Sequence, residues 1–226
     1  MNVLVIGADR GLGKVLCEDL AKRGHQVNAG VLKESNLGNC LFQDKNISAY
    51  LMDVSDESSV KRAADEIGLK GERLDAVVHV AGVLMPSDRE NSLLTADIED
   101  LMTAFRINAA GIIKGFRQFY PLMVKGGRYI AVTSEGGSFS CEGDMFPGYG
   151  ITKTAANKVI QTLRCTVDDV EILAMHPGRM NTVMGRTTAQ IEPEESADGI
   201  CRILEKEKVI SDGEWFIDYK GMPMPL

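Results

Sequence analysis

Apolar residues recur along the chain in two alternating rhythms. Short unbroken runs, the first of them Val3-Leu4-Val5-Ile6, alternate with longer stretches in which apolar side chains return every third or fourth position. A short run bounded by turn residues suits a strand buried on both faces, and the wider spacing suits an amphipathic helix. The runs predict strands over residues 2–6, 26–32, 47–51, 74–80, 128–133, 170–175 and 211–218, and helices over residues 12–23, 55–67, 95–123, 149–165 and 193–206. Strands that are apolar on both faces must be covered on both. The alternation therefore predicts an α/β fold, a doubly wound seven-stranded parallel sheet in a single domain over residues 1–226. No internal repeat, low-complexity run or linker breaks the pattern.

In an open parallel sheet the carboxyl ends of the strands form the ligand side, so the residues just past each run carry the functional signal. After the first run comes Gly7-Ala8-Asp9-Arg10-Gly11-Leu12-Gly13, which leads into a helix. Glycines let the backbone approach a pyrophosphate, and the amides and positive dipole end of the helix favour its charge, which points to a dinucleotide. After the second run, Lys33 stands near the place where an acid would grip the ribose hydroxyls of NAD. With Arg10 it tilts the choice toward NADP, and Glu34, next along, keeps NAD as the alternative. Asp53-Val54 follows the third run, where Asp53 reads either as a ligand-edge acid or as a helix cap. Ala81-Gly82 follows the fourth, Ser134 the fifth and Pro177-Gly178 the sixth. His79, inside an apolar run, reads as a core histidine rather than a base.

Tyr149 and Lys153 begin a predicted helix four residues apart, which places a phenol and an ammonium one turn apart on one face. An ammonium so placed favours the phenolate and brings the phenol's acidity toward the working range. Alone, such a spacing is more often accidental than catalytic; the neighbouring signals give it weight.

Composition narrows the partners. With 226 residues, 44% of them hydrophobic, the chain can bury a substantial core, and its net charge of -7 argues against nucleic acid and anionic membranes as partners. Five cysteines at positions 17, 40, 141, 165 and 201 form no CxxC pair, and no metal site is suggested. The start of the chain has no basic, cleavable leader and no apolar run is long enough to span a bilayer, so a cytoplasmic location is expected.

Taken in order, these motifs resemble the short-chain dehydrogenase/reductase family over essentially the whole chain. Gly7, Gly11 and Gly13 match its glycine turn, Asp53-Val54 its adenine contact, and Ala81-Gly82 the end of its Asn-Asn-Ala-Gly segment. Asn108, Ser134, Tyr149 and Lys153 match its catalytic tetrad, and Pro177-Gly178 with Thr182 matches the segment lying against the nicotinamide. A narrower likeness, to C-factor or C-signal-like members and small carbonyl reductases, rests on three stretches. They are His176-Pro177-Gly178-Arg179-Met180-Asn181-Thr182, Pro193-Glu194-Glu195-Ser196-Ala197, and Gly213-Glu214-Trp215-Phe216-Ile217-Asp218-Tyr219-Lys220-Gly221. The chain departs from the family in Ile6, where a threonine is usual, and in His79-Val80, which replace paired asparagines.

The resemblance implies a Rossmann fold and hydride transfer between an NADP nicotinamide and a carbonyl or alcohol, with a small aldehyde, a ketone or a quinone as substrate. Tyr149 would give the proton, Lys153 tune it and hold the nicotinamide ribose, Ser134 bind the substrate oxygen, and Asn108 hold a water. Ser138 is the fallback serine, and Cys141 reads as an inert thiol. Met85, Phe139, Met145, Phe146, Met180 and Met184 suggest an apolar, adaptable pocket under a small lid. The competing reading is a catalytically weak NAD(P)-binding regulator of C-factor type. A homodimer or homotetramer is expected through helices near residues 109–123 and 149–165.

Overall fold

A computed structural model of the protein describes residues 1–37, 41–89, 92–142, 145–185, 189–211 and 213–226. Cys40 lies outside them, as do residues 186–188 of the segment that contains Thr182 and Asp212 of the predicted last strand. The described strands are β1 (Asn2–Ile6), β2 (Gln26–Val31), β3 (Ile47–Leu51), β4 (Leu74–His79), β5 (Met123–Val132), β6 (Val170–His176) and β7 (Phe216–Asp218). They form one sheet in the order β3-β2-β1-β4-β5-β6-β7, every neighbouring pair parallel. The chain leaves β1 in one direction and returns at β4 to build the other, so a crevice opens where the order reverses. At that crevice Ile6 pairs with Gly30 on one side and His79 on the other.

Helices α1 (Gly11–Lys22), α2 (Glu57–Gly68), α3 (Ile98–Asn108), α4 (Ala110–Phe119), α5 (Pro147–Arg164) and α6 (Pro193–Leu204) cover the two faces. Side chains alternate across each strand, and the core divides accordingly. Val3 and Val5 join Leu16, Leu20 and Ile200 under α1 and α6, while Leu4 and Ile6 join Ile67, Phe116 and Ile160 under α2, α4 and α5.

Three expectations need correction. The single helix predicted over residues 95–123 is two helices, broken at Ala109 and followed by a 3-10 turn at Tyr120–Leu122. The fifth strand, predicted over residues 128–133, starts at Met123 and takes in Gly126 and Gly127, where Gly126 has a φ of 77° and its amide bonds to Asp169 O. Among the described residues the last strand is shorter than predicted, running over Phe216–Asp218 in register with the end of β6.

Candidate active site

The crevice begins with the glycine turn. Gly7 has a φ of 91°, and a Cβ on it would come within 2.7 Å of the Ala81 backbone; a Cβ on Gly13 would lie 2.1 Å from Gly7 O. Only glycine lets β1, the turn and the segment after β4 come this close. Arg10, the N-cap of α1, makes no side-chain cap, and the first turn of α1 contains no acid. Its leading amides therefore face the crevice without a side-chain acceptor, as an anion-binding helix start requires. Leu12 is buried at that start. Thr182 lies against the turn from the far side, its Cγ2 3.5 Å from where a Gly11 Cβ would be.

Asp9 closes the outer edge. Its carboxylate accepts from Leu32 N at 2.8 Å, Lys33 N at 3.3 Å and Asn36 Nδ2 at 2.8 Å, tying the glycine turn to the end of β2. Arg10 and Lys33 are both exposed here, and neither makes an ion pair with any described residue. Asp53 accepts from Ser55 N at 2.8 Å and so orders the turn that precedes α2. Val54 is buried, and a Cβ on Gly111 of α4 would meet its Cγ2 at 3.1 Å. Pro177 and Gly178 end β6, with Gly178 at a φ of 82° because a Cβ there would strike Ile191 at 2.5 Å. This donor set fits a bound dinucleotide: a glycine cradle, a helix start with open amides, and two cations at the adenosine end.

The inner part of the site converges on Gly82, where a Cβ would lie 3.3 Å from both Asn108 Oδ1 and Lys153 Nζ. Asn108, 1% exposed, accepts from Val83 N at 2.8 Å and donates to Val83 O and to Thr152 Oγ1, each at 2.9 Å. Thr152 Oγ1 donates in turn to Tyr149 O at 2.9 Å. These bonds gather the end of α3 toward β4 and α5, and the helix break follows at the next residue. Lys153, 3% exposed, donates to Val132 O at 2.9 Å, and its ammonium lies 5.5 Å from the centroid of the Tyr149 ring. Burial lowers its pKa to about 8.

Ser134 caps the short turn at Glu135–Gly137, accepting from Gly136 N at 3.1 Å, and its hydroxyl acts on the Tyr149 phenol to lower its pKa. That turn packs on α5 so tightly that a Cβ on Gly137 would sit 2.7 Å from the Lys153 backbone. Burial pushes the phenol up to about 12, and the Ser134 hydroxyl opposes the rise. The hydrogen bond of Lys153 itself goes to the main chain, at Val132 O.

The fallback serine, Ser138, is spent on a local turn, accepting from Ser140 N at 3.0 Å. His79 is a core residue as expected: it is buried, its Nδ1 lies 3.0 Å from Tyr129 OH, and burial followed by the nearby Lys153 charge lowers its pKa to about 3. Cys141 is a free, exposed thiol. Of the apolar residues expected at the pocket, Met85 lines a cleft beside Tyr149 together with Val83, Asp88 and Leu101, whereas Phe139 and Met145 face solvent.

Sequence reasoning missed four participants. Asp88 accepts from Gly148 N at 2.8 Å and Tyr149 N at 2.7 Å. Thr152 links Asn108 to Tyr149. His176 Nδ1 accepts from Glu135 N at 3.1 Å and steadies the turn after Ser134, while Arg179 Nε donates to Glu135 Oε1 at 2.5 Å. Only His176, at a strand's carboxyl end, carried a positional signal in the sequence.

A parallel sheet with a glycine cradle at its switch point, and a phenol, hydroxyl and ammonium gathered beside it, defines a nucleotide-dependent enzyme of the α/β class. Comparison with known proteins narrows the class. The family model described as short chain dehydrogenase matches residues 1–193, and the chain belongs to that family. It is 31% identical over 218 residues to 1-hydroxy-2-glutathionyl-2-methyl-3-butene dehydrogenase of Rhodococcus sp. (strain AD45), covering 90% of each chain. A carbonyl reductase from Pseudomonas aeruginosa PAO1, solved in complex with NADP, superposes with a TM-score of 0.83 at 25% identity, covering 100% of this chain and 99% of that one. A short-chain dehydrogenase/reductase from Burkholderia multivorans with bound NADP has the same fold, with a TM-score of 0.87 at 20% identity over 100% and 99% of the two chains. The protein is therefore an oxidoreductase acting on CH-OH or C=O groups. No helix among the described residues is long and apolar enough to cross a membrane, and no group of ligands among them could hold a metal.

Proposed function

We propose that the protein is an NADP-dependent reductase of small aldehydes or ketones, with quinones as further candidates, and that Tyr149 delivers the proton. The observation that carries this reading is the meeting of Ser134, Tyr149 and Lys153 at the carboxyl edge of β5, beside Gly82. Exposed Arg10 in the glycine turn and exposed Lys33 just past β2 support a 2′-phosphate, as does the NADP complex of the Pseudomonas carbonyl reductase. When bound, the nicotinamide supplies or accepts the hydride.

The side chains do the rest. Ser134 donates to the substrate oxygen and orients it toward Tyr149. The Tyr149 hydroxyl gives its proton to that oxygen as negative charge develops there. Lys153 holds the nicotinamide ribose and, with its charge close to the phenol ring, stabilises the phenolate left behind. The Asn108 side chain, expected to hold a water, is committed to Val83 and Thr152. Association into a homodimer or homotetramer is supported by apolar side chains left exposed on α3, α4 and α5, namely Met102 (49%), Ile113 (38%) and Ile151 (38%). Light scattering on the purified protein tests it.

NADPH consumption against a panel of aldehydes, ketones and quinones tests the activity. Turnover on members of the panel is expected. Tight cofactor binding with no turnover on any of them would favour the regulator.

A further inference from the structure

The helix that carries Tyr149 begins without a cap of its own. Its N-cap is Phe146, held in the left-handed region at a φ of 55° and φ-ψ values an apolar residue rarely adopts, with no side-chain bond to the helix. Pro147 at the first position has no N–H, and Gly150 N already bonds Phe146 O at 2.9 Å. Two orphan amides remain in the first turn, those of Gly148 and Tyr149. The two oxygens of Asp88 take one each, at 2.8 and 2.7 Å, from a segment 60 residues earlier in the chain than Gly148.

The surroundings are built for this contact. Asp88 lies in a 3-10 turn, Pro86–Arg89, that follows β4, and both of its neighbours are anchored. The Ser87 hydroxyl bonds to Asp100 of α3, and the Arg89 guanidinium donates to Met184 O and lies 5.4 Å from the Phe146 ring centroid. Position 148 has to be small, since a Cβ on Gly148 would come 3.0 Å from Asp88 Oδ1 and 3.3 Å from Leu101. A carboxylate at a helix start is also favoured by the helix dipole.

We propose that Asp88 is a positioning residue for the reaction. It fixes the main chain of Tyr149 relative to the Ala81-Gly82 edge of β4, and so sets the distance from the phenol to the substrate oxygen. The inference rests on the reading of Tyr149 as proton donor. Its test combines a measurement without turnover and a kinetic one. Hydrogen exchange in the cofactor-free protein should show the Gly148 and Tyr149 amides protected, although first-turn amides ordinarily are not, with that protection lost in Asp88→Ala. In the same variant kcat should fall roughly 10- to 100-fold, as expected for a misplaced reacting group. The KM for NADPH should stay within about twofold and the solvent deuterium isotope effect on kcat should rise, since proton delivery becomes slower than hydride transfer. Asp88→Asn, which keeps one acceptor oxygen and the fold, should recover part of both the protection and kcat. Unchanged amide exchange in Asp88→Ala, or parental turnover in it while Tyr149→Phe is inactive, overturns the proposal. Full turnover in Tyr149→Phe would overturn the proton-donor reading and the kinetic half of the proposal with it, an outcome distinguishable from loss of the clamp.

Discussion

Asn108 and Thr152 join two helices across the base of the site: Asn108 Nδ2 donates to Thr152 Oγ1 at 2.9 Å, and that hydroxyl passes its own hydrogen to Tyr149 O at 2.9 Å. Asn108 is thus first a brace. Asn108→Ala leaves the partly buried Val83 N and O and the buried Thr152 Oγ1 each short of one partner. A loss of about 2–4 kcal/mol of stability is expected, at roughly 1–3 kcal/mol for each group left unsatisfied less what water recovers. Urea unfolding checks this, and a variant as stable as the parent contradicts the bracing role.

Lys153 gives the protein a pH signature. Burial lowers its pKa from 10.5 to about 8, so between those values the unfolded chain retains a proton that the folded chain has released. Stability contributed through this group therefore rises with pH from about 8 to 10.5, and below 8 the folded protein carries a buried charge at a cost. Tyr149 acts in the opposite sense higher up, since its phenol is raised from 10.0 to about 12 and the folded state loses stability across that window. Lys153→Met should make the cofactor-free protein more stable at pH 7, by about 1–3 kcal/mol, and flatten the rise between pH 8 and 10.5. Denaturation at a series of pH values checks both.

The regular parts of this architecture were legible in the sequence because they follow from local pattern. The ends of β1 and β3 fall where the apolar runs predict them, and α1 lies within one residue of its predicted bounds at each end. What was not legible depends on partners distant in the chain. The break at Ala109 interrupts a stretch with sound helical spacing, and the bonds gathered there by Asn108 come from Val83 and Thr152. The cap on α5 was hidden for the same reason, since its acid lies in a different segment from the helix it serves. The candidate site was legible as a set of residues but not as electrostatics. Spacing put Lys153 near Tyr149, while the depth of burial, which sets both pKa values, is a property of the packed fold.

The glycine cradle should tolerate no side chain. Gly13→Ala would place a Cβ 2.1 Å from Gly7 O, and the atom in the way is backbone, which has no rotamer to yield. A loss of roughly 3 kcal/mol or more is expected, together with loss of cofactor binding, because the helix start must move. Calorimetry with and without NADPH checks it. By contrast Gly24→Ala meets no atom within 4 Å and should suffer only the modest strain of its positive φ, leaving cofactor affinity intact.

Arg10 and Lys33 should decide between the two cofactors. Each is expected to contribute charge-assisted bonds of about 1.5–3 kcal/mol to a 2′-phosphate, so each alanine variant should weaken NADPH roughly 10- to 100-fold and leave NADH nearly unchanged. Equilibrium titration of both cofactors with parent and variants checks this. Equal affinity of the parent for the two would contradict the assignment.

The central claim is that the Tyr149 hydroxyl is the proton donor to a carbonyl substrate, and its most direct test is Tyr149→Phe, which removes one oxygen and keeps the ring. Turnover of a carbonyl that the parent reduces, followed through NADPH consumption beside a fluorescence titration of NADPH binding, reads the outcome. The account predicts a variant that binds NADPH as the parent does and reduces the carbonyl at least about 100-fold more slowly. Turnover at the parental rate would contradict it.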